Sequence, residues 1–128
     1  MADIPNGEIL FRYANPAYFP PDQEEIPTSI FEDHDLSCDW ELYQKAPQDS
    51  PHVTEGRSRL ISIRVCDEIR NPTNPRGVLK ESAIQEILHD PLSENDDFGP
   101  NESHSLIRGN KKKEATRAIC RNSTWRDL

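Results

Sequence analysis

A small α+β domain is the fold this sequence predicts: a mixed sheet of about four or five short strands with a C-terminal amphipathic helix and one shorter helix packed on a single face. Three observations carry that reading. Leu36-Ser37-Cys38-Asp39-Trp40-Glu41-Leu42 alternates apolar with polar side chains, the period of a strand with one wet face. From Lys111 onward Ala115, Ala118, Ile119 and Asn122 recur at helical spacing, with Lys113, Arg117 and Arg121 every four residues on another side. The chain carries 11 prolines among its 128 residues, so much of it is loop, and its length holds one domain and one core over residues 1–128.

Taken in order, Glu8-Ile9-Leu10-Phe11-Arg12-Tyr13 is an apolar and aromatic run closed by Asn15-Pro16, which predicts a first strand. Residues 14–28 carry Pro16, Pro20, Pro21 and Pro27 around an acidic Asp22-Gln23-Glu24-Glu25 patch, a loop composition. The alternating segment at 36–42 follows, with Leu36, Cys38, Trp40 and Leu42 facing inward. Residues 45–57 again read as loop. In Leu60 to Arg70 the β-branched residues crowd the first half, so a strand over about 59–63 passes into a short helix over about 64–70. Asn71-Pro72-Thr73-Asn74-Pro75 stops that helix. Ile84, Ile87 and Leu88 suit a helix turn as well as a strand and end at Asp90-Pro91. An acidic loop spans 90–103, and His104-Ser105-Leu106-Ile107-Arg108 is a short strand ending in the turn pair Gly109-Asn110. The helix then begins with three lysines in its first turn, the wrong end for its dipole.

Composition narrows the function classes. No run approaches the roughly 20 apolar residues of a membrane span, and the first residues lack a basic region followed by an apolar one, which predicts a cytoplasmic protein with no membrane partner. Cys38, Cys66 and Cys120 are odd in number and widely spaced, as reduced thiols are. The net charge of −8 is unevenly placed: residues 108–128 hold seven basic and two acidic side chains, leaving eight basic against 21 acidic elsewhere. Such a split provides a basic surface for an anionic partner or a segment that docks on its own acidic body.

Three chemistries can be drawn from particular residues. Lys111, Lys112 and Lys113 with Arg117 and Arg121 form a cationic ridge for a phosphate-bearing ligand or nucleic acid, although the glycine-rich approach and Lys-Ser/Thr pair of a phosphate-binding loop are missing. His34, His52, His89 and His104 have no metal-ligand spacing, so neither metal nor other cofactor is expected. No nucleophile-elbow sequence is present either. Arg12, Ser29 and Glu41 match in type, on successive segments, the Arg, Ser/Thr and Glu of an ADP-ribosyltransferase-type site.

The strand ending in Asn15-Pro16, Pro27-Thr28-Ser29-Ile30-Phe31 followed by Leu36-Ser37-Cys38-Asp39-Trp40, and the stretch from Asp90-Pro91 through Asn101, His104 and Gly109 to Lys111-Lys112 resemble an uncharacterised family of small bacterial proteins. That resemblance implies a bacterial, cytoplasmic protein and brings no activity with it. It does single out Asn101 and His104 beside the lysines, either as part of a binding pocket or as a loop fixed by side-chain to backbone hydrogen bonds. The function expected from the sequence is that of a non-catalytic interaction or accessory protein, acting through its acidic loops or an open sheet edge on a protein partner. The alternatives are a phosphate-ligand or nucleic-acid module using Asn101, His104, Lys111, Lys112, Lys113, Arg117 and Arg121, and an ADP-ribosyltransferase-like enzyme.

Overall fold

A computed structural model describes residues 1–128 apart from Glu55, Phe98, Asp127 and Leu128 and the side chains of Pro51 and Thr54. Its strands are β1 (Ala2–Asp3), β2 (Ile9–Ala14), β3 (Asp35–Trp40), β4 (Arg59–Arg64), β5 (Glu86–His89), β6 (His104–Arg108) and β7 (Ser123–Arg126). They form one sheet in the order β1-β5-β6-β3-β2-β4-β7, with every neighbouring pair antiparallel. The sheet is therefore neither mixed nor limited to four or five strands. The strands beyond the expected number are the two edges. Ala2-Asp3 is too short to show any period, and Ser123-Thr124-Trp125-Arg126 holds one apolar residue, so neither carries the alternation that marks a strand in sequence.

Interior elements follow their sequence signals closely. β4 runs one residue beyond the predicted end, and the short helix α2 (Asp67–Arg70) begins after Cys66 and stops before Asn71-Pro72. The C-terminal helix α3 (Lys113–Arg121) buries Ala115, Thr116, Ala118 and Ile119 while Lys113, Arg117 and Arg121 stay exposed. Only Lys113 lies within the helix; Lys111 and Lys112 precede it, so the lysine run does not load the first turn against the dipole as the sequence suggested. Leu42 also departs from expectation, because β3 ends at Trp40 and leaves it half exposed. Within 45–57, read as loop, lie a 3-10 turn at Pro47–Asp49 and the single-turn helix α1 (Pro51–Thr54).

Strand alternation divides the sheet into two faces. Leu10, Ala14, Leu36, Cys38, Trp40, Ile61, Ile63, Ile87 and Ile107 share the larger core with Ile30 and Phe31 of the turn at Thr28–Phe31, Ile69 of α2 and Ile119 of α3. Each such side chain stabilises the fold by about 1.5–3 kcal/mol relative to exposure. Phe11, Tyr13 and Leu60 point the other way and pack with Ile9 and Val53, so α1 covers part of the second face. The proline-rich loop is tied down by Arg59, whose guanidinium donates to the carbonyls of Phe19, Pro20, Pro21 and Gln23 and lies 3.5 Å from the ring centre of Trp125. At the end of β6, Gly109 is obligatory: its φ is +153°, and an added Cβ would sit 2.5 Å from the Ile84 carbonyl oxygen.

Burial of Cys38 makes a testable demand at alkaline pH. Desolvation pushes its thiol up to about 12, with Asp39 acting in the same direction and Arg12 and Lys111 opposing. Between pH 9 and 12 the unfolded chain loses a proton that the folded chain retains, so this group's stabilising contribution is complete below 9 and declines as pH rises to 12. Lys111, lowered to about 8 by desolvation, acts oppositely between 8 and 10.5 and is common to both proteins compared. Urea titrations from pH 9 to 11 should therefore show stability falling less steeply in Cys38→Ala than in the parent, by about 1.4 kcal/mol per pH unit. Equal slopes would show that the thiol ionises in the folded state as readily as in water.

Candidate functional site

The two central strands β2 and β3 pair over only two positions, Leu10 with Trp40 and Phe11 with Asp39. The next pair in that register would be Arg12 with Cys38, and the next hydrogen-bonded one Tyr13 with Ser37, but there the strands part. Arg12 fills the break. Its Nη1 donates to the Ser37 carbonyl at 3.1 Å, and its Nη2 meets Asp33 Oδ2 at 3.5 Å. A guanidinium thus takes the acceptor that a β2 amide would otherwise satisfy. Around the gap lies a cavity of about 30 Å³ lined by Arg12, Tyr13, Ser37, Cys38, His52, Arg57 and His104.

Polar side chains on the second face of the sheet converge on this gap. His104 Nδ1 lies 2.9 Å from the Asp90 carbonyl and 3.3 Å from the Asp90 carboxylate, while Nε2 faces Ser37 Oγ at 3.3 Å. A carbonyl can only accept, so Nδ1 carries a proton; with a single proton on the ring, Nε2 accepts from the Ser37 hydroxyl. Hydroxyl, imidazole and carboxylate stand in the relation that polarises a serine oxygen. Asn101 links the neighbouring acid to the loop: Nδ2 donates to Asp39 Oδ1 at 2.9 Å, and Oδ1 accepts from the Ser103 amide and hydroxyl. Asp39 Oδ2, the Tyr13 hydroxyl and Arg12 Nε are buried with no hydrogen-bond partner among the described residues. Burial raises the Tyr13 phenol well above its ordinary range, and the adjacent Asp39 charge adds to this. Tyr13 also stacks on His52, with ring centres 4.9 Å apart.

The residues singled out in sequence are divided between two places. Asn101 and His104 stand together at the start of β6. Lys111 belongs to its other end, where the ammonium donates to the carbonyls of His34, Ile107 and Gly109 at 2.9, 2.8 and 3.1 Å. It closes the turn into α3. Lys112, Lys113 and Arg117 are exposed on the helix side, and Arg121 pairs with Glu68 at 3.2 Å. Arg12, Ser29 and Glu41 are not assembled into one cleft. Arg12 reaches Asp33 and Ser37, Ser29 lies in the turn at Thr28–Phe31 that packs on α3, and Glu41 pairs with Arg126 beyond the opposite end of β3. Ser37, Tyr13, Arg57 and Asp90 escaped sequence reading, because Ser37 and His104 are 67 residues apart and meet only through the β3–β6 ladder. The available signal was the polar half of the β3 alternation, Ser37 and Asp39.

A second concavity borders the edge strand β7. It encloses about 440 Å³ and is lined by Glu24, Glu25, Ile26, Cys120, Ser123, Thr124 and Trp125. The Trp125 indole donates to the Glu24 carbonyl at 3.1 Å, and Cys120 Sγ donates to the Ile26 carbonyl at 3.0 Å, which fixes the acidic segment beside the strand. No family model, curated protein or solved structure matches this chain. Among the described residues no group of three His, Cys, Asp or Glu is disposed to hold a metal ion, and no helix is long and apolar enough to cross a membrane.

The lysines should separate on mutation. Lys111→Met removes the ammonium from three backbone carbonyls at a partly buried turn, of which that of His34 keeps the Gly109 amide, and is expected to cost about 1–3 kcal/mol in urea unfolding. Lys112→Ala and Lys113→Ala, on exposed positions, should stay within about 0.5 kcal/mol of the parent. A Lys111→Met protein as stable as the parent would return that ammonium to the set of available ligand groups.

Proposed function

We propose that this chain is a protein-interaction domain that takes an extended, basic segment of a partner along the β7 edge of its sheet. One observation carries the reading: the groove beside β7 places an open strand, an apolar wall and two carboxylates within a single concavity. The register with β4 pairs Ser62 with Thr124 and Ile63 with Ser123, and the Arg64 amide donates to the Asn122 carbonyl. Ser62 and Thr124 are thus the hydrogen-bonded pair, and the peptide groups of Ser123 and Trp125 face away from β4. They form a ladder half for an incoming strand. Trp125 and Ile26 offer apolar contact to alternate side chains, and exposed Glu24 and Glu25 favour Lys or Arg. The other edge supports the choice of β7, since β1 is two residues long and Asp3 there is engaged by Arg70. Very short edge strands resist pairing.

An alternating Lys-Val decapeptide is a suitable probe, read by NMR hydrogen exchange. In the free protein Thr124 and Arg126 amides are already in the β4 ladder, so binding should newly protect Ser123 and Trp125. Glu24→Gln and Glu25→Gln should each weaken binding about threefold at low salt, as expected for exposed ion pairs of about 0.6 kcal/mol. Peptide binding that leaves the exchange of Ser123 and Trp125 unchanged would place the partner elsewhere and end this reading.

A further inference from the structure

We propose that the cleft where β2 and β3 part is a binding site for a phosphate-sized oxyanion, inorganic phosphate or the head of a phosphomonoester, gripped by Arg12 and Arg57 and walled by Ser37 and His104. The site is independent of the β7 groove and involves none of its residues.

The lining carries the argument. In a chain of net charge −8, the described residues that border the cavity supply two guanidiniums, two imidazoles, two hydroxyls and a thiol, and no carboxylate. Three acids stand around it, and of their oxygens Asp39 Oδ2 is buried without a partner among the described residues. Asp33 meets the outer nitrogen of Arg12, Asp90 lies behind His104, and Asp39 accepts from Asn101. Cys38 and Tyr13, both raised by burial, add no negative charge at neutral pH. Two donors are available at the site itself: Arg12 Nε is buried without an acceptor, and the Arg57 guanidinium is exposed with no ion pair among the described residues. Guanidinium is the side chain best matched to phosphate oxygens, through paired N–H donors. Ser37 can transfer its hydrogen bond from His104 Nε2 to an arriving oxygen without moving its backbone.

Size sets the ligand class. A water-sized probe needs about 10–15 Å³ of such space, so about 30 Å³ holds two or three waters or a single tetrahedral head group, and excludes a sugar or a base from the interior. Anything attached to the phosphoryl group must leave through the mouth, where Arg57 stands. The proposed site shares His104 with the one expected from sequence and has Arg12 and Arg57 in place of the lysines.

The test is an NMR titration of the full chain with inorganic phosphate, with phenyl phosphate and acetate in parallel, at constant ionic strength. Phosphate should shift the Ser37, Tyr13 and Arg12 signals saturably, and acetate should bind at least fivefold more weakly. Tighter binding of phenyl phosphate identifies a phosphomonoester ligand, and equal or weaker binding identifies the free anion; either supports the site. Arg57→Gln, an exposed change expected to leave the thermal midpoint unaltered, should weaken phosphate at least tenfold, whereas Lys112→Gln with Lys113→Gln should leave it unchanged. Absence of saturable shifts at these residues, an unaffected Arg57→Gln protein, or loss of binding with the lysines alone would overturn the assignment.

Discussion

The structure turns on the Arg12 side chain at the junction of β2 and β3. A central pair of strands would ordinarily be the most continuous part of an antiparallel sheet, yet here the ladder ends after Phe11 and Asp39. The sheet is two ladders, β1-β5-β6-β3 and β2-β4-β7, joined over a short length and held beyond it by a guanidinium on the Ser37 carbonyl. That substitution keeps a backbone acceptor satisfied while admitting a polar cavity beside the core. Leu10 and Ala14, flanking Arg12 in the alternation, remain in the larger core, so the break costs the sheet little of its apolar face.

From this constraint follows the separation of roles around β6. Its first residue, His104, faces Ser37 across the ladder because β3 and β6 stay paired where β2 and β3 do not. Its far end must turn sharply into α3, and there Gly109 supplies the required φ while Lys111 donates to the carbonyls of His34, Ile107 and Gly109 around the turn. The same cation that in sequence belongs to a basic cluster is in the structure a turn closure. Desolvation lowers its affinity for a proton, as befits an ammonium partly withdrawn from water.

How much of this was legible depends on the range of the interactions concerned. The interior strands, α3 and its buried Ala115, Ala118 and Ile119 were readable because one-sided burial writes a local period into the chain. β1 and β7 were not, since an edge strand of two or four residues needs only one neighbour and little apolar area. The cleft was hidden for a different reason. Arg12 sits in an apolar run as though it were a wet-face residue, and nothing local reveals that β3 will diverge from β2 just there. Asn101 and His104 were noticed together and do stand together, but their partners Asp39, Ser37 and Asp90 come from pairings across the sheet.

The charge asymmetry acquires a geometric meaning once these pieces are placed. Of the basic C-terminal residues, Lys111, Arg108, Arg121 and Arg126 are engaged internally, with backbone carbonyls, Asp35, Glu68 and Glu41. Much of that positive segment therefore neutralises the acidic body, and few of its cations remain to define a polyanion surface. Among the charges that line the two concavities, Glu24 and Glu25 beside the β7 edge and Arg57 at the cleft have no ion pair among the described residues, whereas Arg12 is met by Asp33. The two concavities thus differ in the charge of their rims. Net charge alone, negative over the whole chain and positive over its last 21 residues, ranked neither of them. Pairing by distance, which removes each charge already answered within the fold, is what distinguishes the engaged cations of the last segment from Lys112, Lys113 and Arg117 on the helix and Arg57 at the cleft.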